Sequence, residues 1–348
     1  MAKKVLMKGN IAMGEGAIKA GCGAYFGYPI TPQNDFTANM AKRMVELGKV
    51  FIQSESEISA INMVFGAAVT GARAMTSSSS PGISLKQEGI SYLAGCELPC
   101  VIVNVQRGGP GLGNISGSQA DYFQATRGGG HGDYRTLVLA PDSVQEMYDL
   151  TQEAFDLADK YRNPVVILVD GVLGQMMEPV DIDSEVKKHK LPKKDWVLNG
   201  CKGREPRSIK SLLMEEGALE AHNWELFDKY KKMQSEVKCE VEDIDDADVV
   251  LVAFGIAARV CKTAMQIANK DGKKIGLIRP VTLYPFPSDI ISKVAGKVKK
   301  FLVVEMNLGQ MVEDVRLAVA GKAEVHFYGR PGGGISSHEE ILEELEKL

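Results

Sequence analysis

The sequence predicts an α/β chain, and three observations carry that prediction. Short β-branched runs alternate with helix-length amphipathic stretches in both the first and the last part of the chain. Several runs, CVIVNV at 100–105 and PVVILVD at 164–170 among them, are apolar almost throughout; such strands need cover on both faces, which a parallel sheet flanked by helices supplies. Between the two parts lies a lysine-rich and acidic stretch of different texture, and at 348 residues the chain is longer than one hydrophobic core usually organises.

In chain order, the first part (1–180) places strands at 51–53, 74–78, 100–107, 136–141 and 164–170, with helical period between them. The middle stretch (181–246) holds EVKKHKLPKKDW and a polar run of helical period over 207–240, which predicts a linker carrying a helical arm. The last part (247–348) resumes the alternation, with strands at 249–255, 274–280, 300–307 and 323–329, and predicts a smaller second α/β domain.

Lys and Arg number 41 against 45 Asp and Glu, a net charge of -4. No bulk positive field is offered to a nucleic-acid backbone, so no nucleic acid is expected as a partner. No apolar run approaches the ~18 residues of a membrane span, so no membrane is expected either. The basic start, with Lys3, Lys4 and Lys8, reaches Gly9 before an apolar signal core has formed, and the expected location is cytoplasmic. Six cysteines (Cys22, Cys96, Cys100, Cys201, Cys239, Cys261) without a CxxC pair give neither a disulfide framework nor a zinc or iron–sulfur cradle. If electrons move here, another chain carries them.

Glycine, 36 residues, gathers where strands give way to helices or loops, and in open parallel sheets ligands sit outside the carboxyl ends of strands. Four segments stand at such places. In GYPITP (27–32) two prolines stiffen the backbone around Thr31, which either caps the following helix, with Pro32 at its first position, or binds a ligand; the two roles are compatible. In QSESE (53–57) the helix dipole accounts for one of Glu55 and Glu57. Glu57 is followed by small or apolar residues, surroundings that raise a carboxylate's proton affinity and let it share a proton with a nitrogen heterocycle. In SSSSPGISLKQEG (77–89) hydroxyls end a strand, and Pro81 and Gly82 turn the chain into a helix; the group suits an anion or a heterocycle, or serves as a plain turn. Arg107 ends CVIVNVQR and either meets a substrate carboxylate or pairs with a neighbouring acid.

GGPGLGN (108–114) and RGGGHGD (127–133) lack the order of a phosphate loop and are read as mobile active-site loops, with His131 either reaching a substrate or solvated. In the last part, Glu305, Asn307 and Gln310 stand just past a strand end, where they face a cofactor or a partner subunit, with packing at an interface the preferred reading; His326 is read as a core residue of a strand.

The succession GYPITP, SESE, TSSSSPGISLKQEGISYLAG and VNVQRGGPGLGN resembles the alpha-type subunit of the 2-oxoacid:ferredoxin oxidoreductases over 9–179. LIRPVTLYPFP (277–287) and VVEMNLGQMVEDVR (303–316) are similar to the transketolase-C-like domain of that family. The resemblance implies a thiamine-diphosphate-binding (pyrimidine-type) parallel-sheet domain followed by a transketolase-C-like α/β domain. It also implies that this chain supplies the pyrimidine half of a shared thiamine diphosphate site, while a beta-type partner holds the diphosphate and Mg²⁺. Gamma-type and ferredoxin-like delta-type subunits would complete the assembly, with the iron–sulfur clusters in partner chains. The sequence agrees with this division, since no GDG followed by an Asn-containing metal loop is present.

By the same resemblance Glu57 would hydrogen-bond the pyrimidine ring nitrogen, Thr31 and Arg107 would bind the 2-oxoacid, and Tyr28, Pro29, Ile30, Ser80 and Gly82 would line the cofactor. The implied reaction is oxidative decarboxylation of a 2-oxoacid to its acyl-coenzyme A, with electrons passed to ferredoxin. Within the family the chain looks most like the shorter subunits of branched-chain enzymes, which points to 3-methyl-2-oxobutanoate (ketoisovalerate). The alternatives are 2-oxoglutarate, a different thiamine-dependent chemistry, and a non-catalytic subunit that holds partners together.

Overall fold

The computed structural model describes residues 4–348; Met1–Lys3, part of the basic start, lie outside the described residues. The first part runs β1 (Lys4–Lys8), α1 (Gly9–Lys19), β2 (Ala24–Gly27), α2 (Asn34–Glu46), β3 (Val50–Gln53), α3 (Glu57–Val69), β4 (Ala74–Ser78), α4 (Ser80–Gly95), β5 (Cys100–Gln106), α5 (Tyr122–Arg127), β6 (Leu137–Leu139), α6 (Val144–Tyr161), β7 (Pro164–Asp170), α7 (Gly171–Gln175) and β8 (Met177–Asp181). After a stretch without regular structure come α8 (Ala218–Met233), β9 (Cys239–Glu242), β10 (Val249–Val252), α9 (Gly255–Lys270), β11 (Ile275–Pro280), β12 (Thr282–Tyr284), α10 (Ser288–Val294), β13 (Lys300–Glu305), α11 (Met311–Val319), β14 (Glu324–Gly329) and α12 (His338–Glu346).

Two sheets organise these elements. A seven-stranded sheet has the order β12-β6-β7-β5-β4-β2-β3, parallel except for β12, which runs antiparallel to β6. A five-stranded sheet has the order β14-β13-β10-β11-β9, parallel except for β9. β1 and β8 form a separate antiparallel ribbon. Every residue of β5 and β7 is buried, as their apolar runs require when helices cover both faces.

The structure adds strands that the pattern did not reveal: β2, the β1–β8 ribbon, β9 and β12. Each is six residues or shorter and lies against neighbours distant in sequence. The polar helix begins at Ala218 instead of near 207, with Gly217 at φ +75° as its N-cap, a left-handed backbone that glycine adopts without strain. β9, inside the 181–246 stretch, closes the edge of the second sheet, and β12, after residue 247, closes the edge of the first.

Side chains bind the two sheets together. Arg279 of β11, almost fully buried, donates through Nη1 and Nη2 to the Glu146 carboxylate of α6 at 2.9 and 2.7 Å and through Nε to Glu240 at 2.8 Å. Such a two-pronged pair holds orientation as well as charge. Glu305 accepts from the amides of Met311 and Val312 at 2.8 and 3.0 Å, satisfying the start of α11. Asn307 and Gln310 donate to the carbonyls of Gln119 and Ala120 at 2.9 and 2.7 Å, so they pack the second sheet against the segment before α5. His326 lies in a strand as expected, but β14 is an edge strand, so the ring is part-exposed and faces Glu324 at 3.2 Å instead of the core.

Candidate active site

The four segments come together because β3, β2, β4 and β5 are adjacent and parallel. Their carboxyl ends point the same way, and the residues that follow share one edge of the sheet.

Glu57 is the first residue of α3 and is 5% exposed. Ser56 occupies the cap before it and accepts from the Ser59 amide at 3.2 Å, which leaves the Glu57 carboxylate free to turn inward. Ser78 Oγ, at the end of β4, donates to Glu57 Oε1 at 3.4 Å. Across from it stands Gly82, where an added Cβ would collide with Ser78 Oγ and lie 2.5 Å from Glu57 Oε1. The carboxylate therefore occupies a space that only glycine at 82 leaves open. Glu55, in contrast, is exposed and accepts from Ser59 Oγ at 2.8 Å.

Arg107 is 8% exposed. Its backbone is fastened to Ser80, whose Oγ accepts from the Arg107 amide at 3.0 Å. The guanidinium donates through Nη1 to the Thr31 carbonyl at 3.0 Å and through Nη2 to the Leu112 carbonyl at 3.1 Å, while the buried Nε has no partner among the described residues. A cation that meets only neutral carbonyls, with three of its five N–H donors unused, Nε among them, is equipped to bind an anion.

Thr31 does not cap a helix, and Pro32 does not stand at a first helical position. α2 starts at Asn34 with Gln33 at its cap, because the buried Gln33 side chain turns inward to accept from Ser77 Oγ at 2.6 Å and Thr37 Oγ1 at 3.1 Å. Thr31 Oγ1 accepts from Asn34 at 3.3 Å. Tyr28 and Pro29 are exposed and Ile30 half-buried, forming a lip beside Thr31; the Tyr28 and Ile30 carbonyls accept from Gln33 at 3.2 and 3.0 Å.

The structure thus joins Thr31, Arg107 and Ser80 in one group and Glu57, Ser78 and Gly82 in another, and the first turn of α4, carrying both Ser80 and Gly82, links the two. His131 is outside this arrangement: it is exposed, and its carbonyl accepts from Ser91 Oγ at 2.5 Å. The glycine loop after Arg107 is closed by hydrogen bonds, Gly108 N to Ser116 O and Asn114 N to Gly108 O at 2.9 Å each, and Asn114 Nδ2 reaches the Gly332 carbonyl at 2.8 Å.

Three neighbouring residues escaped the reading of the sequence. Gln33 forms the floor under Thr31. Asp121, beside Ser80, accepts from Asn104 at 2.8 Å, and burial pushes its carboxyl up. Lys86 lies fully buried beside α3, and a signal for it was present: Ile83, Ile90, Leu93 and Ala94 recur at a helical period that puts the lysine between them on the core face.

These residues fit a thiamine pyrimidine and a 2-oxoacid. The Glu57 carboxylate is buried and held by a hydroxyl in the space that Gly82 leaves, and Arg107 Nε and Ser79 Oγ are buried polar atoms without a partner among the described residues.

Comparison with known proteins gives the family. Residues 15–246 match the family described as pyruvate flavodoxin/ferredoxin oxidoreductase, thiamine diP-bdg, and residues 247–341 the one described as pyruvate:ferredoxin oxidoreductase core domain II. The ketoisovalerate oxidoreductase subunit VorB of Methanothermobacter thermautotrophicus is 49% identical over 344 residues, covering 99% of this chain and 97% of that one. The 2-oxoglutarate synthase subunit KorA of the same organism is 38% identical over 375 residues and covers 100% of both chains. Among solved structures, 2-oxoglutarate:ferredoxin oxidoreductase from Magnetococcus marinus, with 2-oxoglutarate, coenzyme A and succinyl-CoA bound, matches with a TM-score of 0.91 at 27% identity. That match covers 99% of this chain, which spans 65% of the other. A split gene transketolase, at TM-score 0.60 and 13% identity over 97% of this chain and 96% of that one, shares the fold. From motif, fold and these likenesses together, the chain belongs to the pyruvate flavodoxin/ferredoxin oxidoreductase family, as an alpha-type 2-oxoacid:ferredoxin oxidoreductase subunit with a thiamine-diphosphate-binding domain.

Proposed function

We propose that the chain is the pyrimidine-binding subunit of a cytoplasmic enzyme that oxidatively decarboxylates 3-methyl-2-oxobutanoate to its acyl-coenzyme A and passes the electrons to ferredoxin. The observation that carries this is the Arg107 guanidinium, buried with a free Nε, held beside Thr31 and linked by the first turn of α4 to the Glu57 carboxylate. The greater identity to the ketoisovalerate subunit than to the 2-oxoglutarate subunits, 49% against 38%, favours the branched substrate.

Thiamine diphosphate, when bound, supplies the carbon nucleophile and the electron sink that decarboxylation requires. Glu57 accepts or gives a proton at the pyrimidine ring nitrogen, and Ser78 Oγ fixes the orientation of its carboxylate. Gly82 leaves the Glu57 carboxylate its place, while Tyr28, Pro29, Ile30 and Ser80 line the ring. Arg107 binds the substrate carboxylate through Nε, with Thr31 beside it at the keto group. A beta-type partner holds the diphosphate and Mg²⁺, and gamma-type and delta-type subunits contribute the iron–sulfur clusters. Residues 1–180 act as the pyrimidine-binding domain, 181–246 as a linker with its helical arm, and 247–348 as the transketolase-C-like domain.

The test is coenzyme-A-dependent viologen reduction by the complex purified without oxygen, given 3-methyl-2-oxobutanoate, 2-oxoglutarate, pyruvate and indolepyruvate. Fastest reduction with the branched acid is expected, and it should vanish in Glu57→Gln while the complex still assembles. Preference for 2-oxoglutarate would replace the substrate; no reduction with any acid, in a complex holding thiamine diphosphate and iron, would replace the reaction.

A further inference from the structure

Lys86 has no part in the function proposed above, yet it is directed at the same carboxylate-bearing residue. It stands in α4 four residues after Gly82, on the same face of the helix, and is fully buried. Its Nζ donates to Thr76 Oγ1 of β4 at 3.1 Å and reaches the Glu57 carbonyl oxygen, in the first turn of α3, at 3.5 Å. Both acceptors are neutral, and a buried ammonium with neutral partners is costly. Burial accordingly pushes the Lys86 ammonium down to about 7, and the charge of Glu57 works against that shift. On the elements around it, β4 carries no ionisable residue, and Glu88 of α4 and Glu55 ahead of α3 are exposed. Glu57 is the charged group that acts on it.

α4 therefore offers α3 two things from one face: an absence at Gly82 that admits the Glu57 carboxylate, and a positive charge at Lys86 beside the backbone of the same residue. We propose that Lys86 is a positioning residue for Glu57, anchoring the first turn of α3 and compensating the Glu57 charge so that the carboxylate stands ready for the pyrimidine nitrogen. The inference rests on the role proposed for Glu57.

The experiment measures thiamine diphosphate binding to the assembled complex by quenching of intrinsic fluorescence, from about pH 6 to about pH 9, the span over which such a lysine titrates. Affinity in the unaltered complex should fall as pH rises and Lys86 loses its proton. In Lys86→Met the affinity at the acid end should be lower by about tenfold, the equivalent of one unit of proton affinity, and flat across the range. A Lys86→Met complex that binds like the unaltered one at every pH overturns the proposal. Should that variant fail to assemble, Thr76→Val decides: losing the hydroxyl that Nζ donates to should move the fall in affinity to lower pH, and an unmoved profile overturns the proposal. Glu57→Gln separates the two layers. If it weakens binding while Lys86→Met does not, only the role of Lys86 is lost; if it binds normally, the role of Glu57 is lost and that of Lys86 with it.

Discussion

Arg107 shows what a single side chain contributes when its hydrogen bonds leave its charge uncompensated. Two prongs end on the carbonyls of Thr31 and Leu112, and Nε is spare. Arg107→Lys replaces a planar fork with a point charge, and removal of a charge-assisted bond costs roughly 1.5–3 kcal/mol. We expect KM for the 2-oxoacid to rise by about ten- to a hundredfold by the same measure, with kcat affected less; steady-state kinetics on a substrate series would remove Arg107 from the site if KM stayed unchanged. Glu57 and Arg107 stood out in the sequence because each follows a strand that the pattern reveals, and position relative to a strand end is a local property; Thr31 stood out through the two prolines beside it, since β2 ahead of it was not revealed. Gln33 and Asp121 were not legible, because whether a polar side chain turns inward depends on a hydroxyl or an amide delivered by another strand.

At the scale of one helix, α4 does the work of two. Its first turn carries Ser80 toward Arg107 and Gly82 toward Glu57, and its second carries Lys86. Gly82→Ala should weaken thiamine diphosphate binding, since the new methyl meets the Glu57 carboxylate at 2.5 Å; equal affinity would show that the carboxylate can move aside. Lys86 also leaves a mark on stability. Its folded value of about 7 lies below the ordinary 10.5, so between these the unfolded chain binds more protons than the folded one. Lys86 should therefore make unfolding free energy rise with pH across that window, by up to about 1.4 kcal/mol per pH unit, a contribution that Lys86→Met removes; denaturant titrations of both proteins at its two ends would check this. Apolar runs made β5 and β7 readable, whereas the polar period over 207–240 over-predicted a helix that Gly217 delays to Ala218.

For the whole molecule, the change of texture at 181 and 247 marked out two α/β parts, and both sheets are there. What composition could not reveal is that they exchange edges: β9 precedes the second sheet's other strands and β12 returns to the first. These strands are four and three residues long, too short for a period to register. Arg279, inside the strand expected at 274–280, holds Glu146 and Glu240 between the parts. The return of β12 also bears on how the protein is made. β6 leaves the ribosome long before the segment 282–284 that covers it, so the growing chain carries an open sheet margin through much of its synthesis. An uncovered margin pairs with whatever strand is nearby, and a version ended at residue 246 would keep that hazard permanently, tending to form aggregates even though the cut falls between the two families that the chain matches.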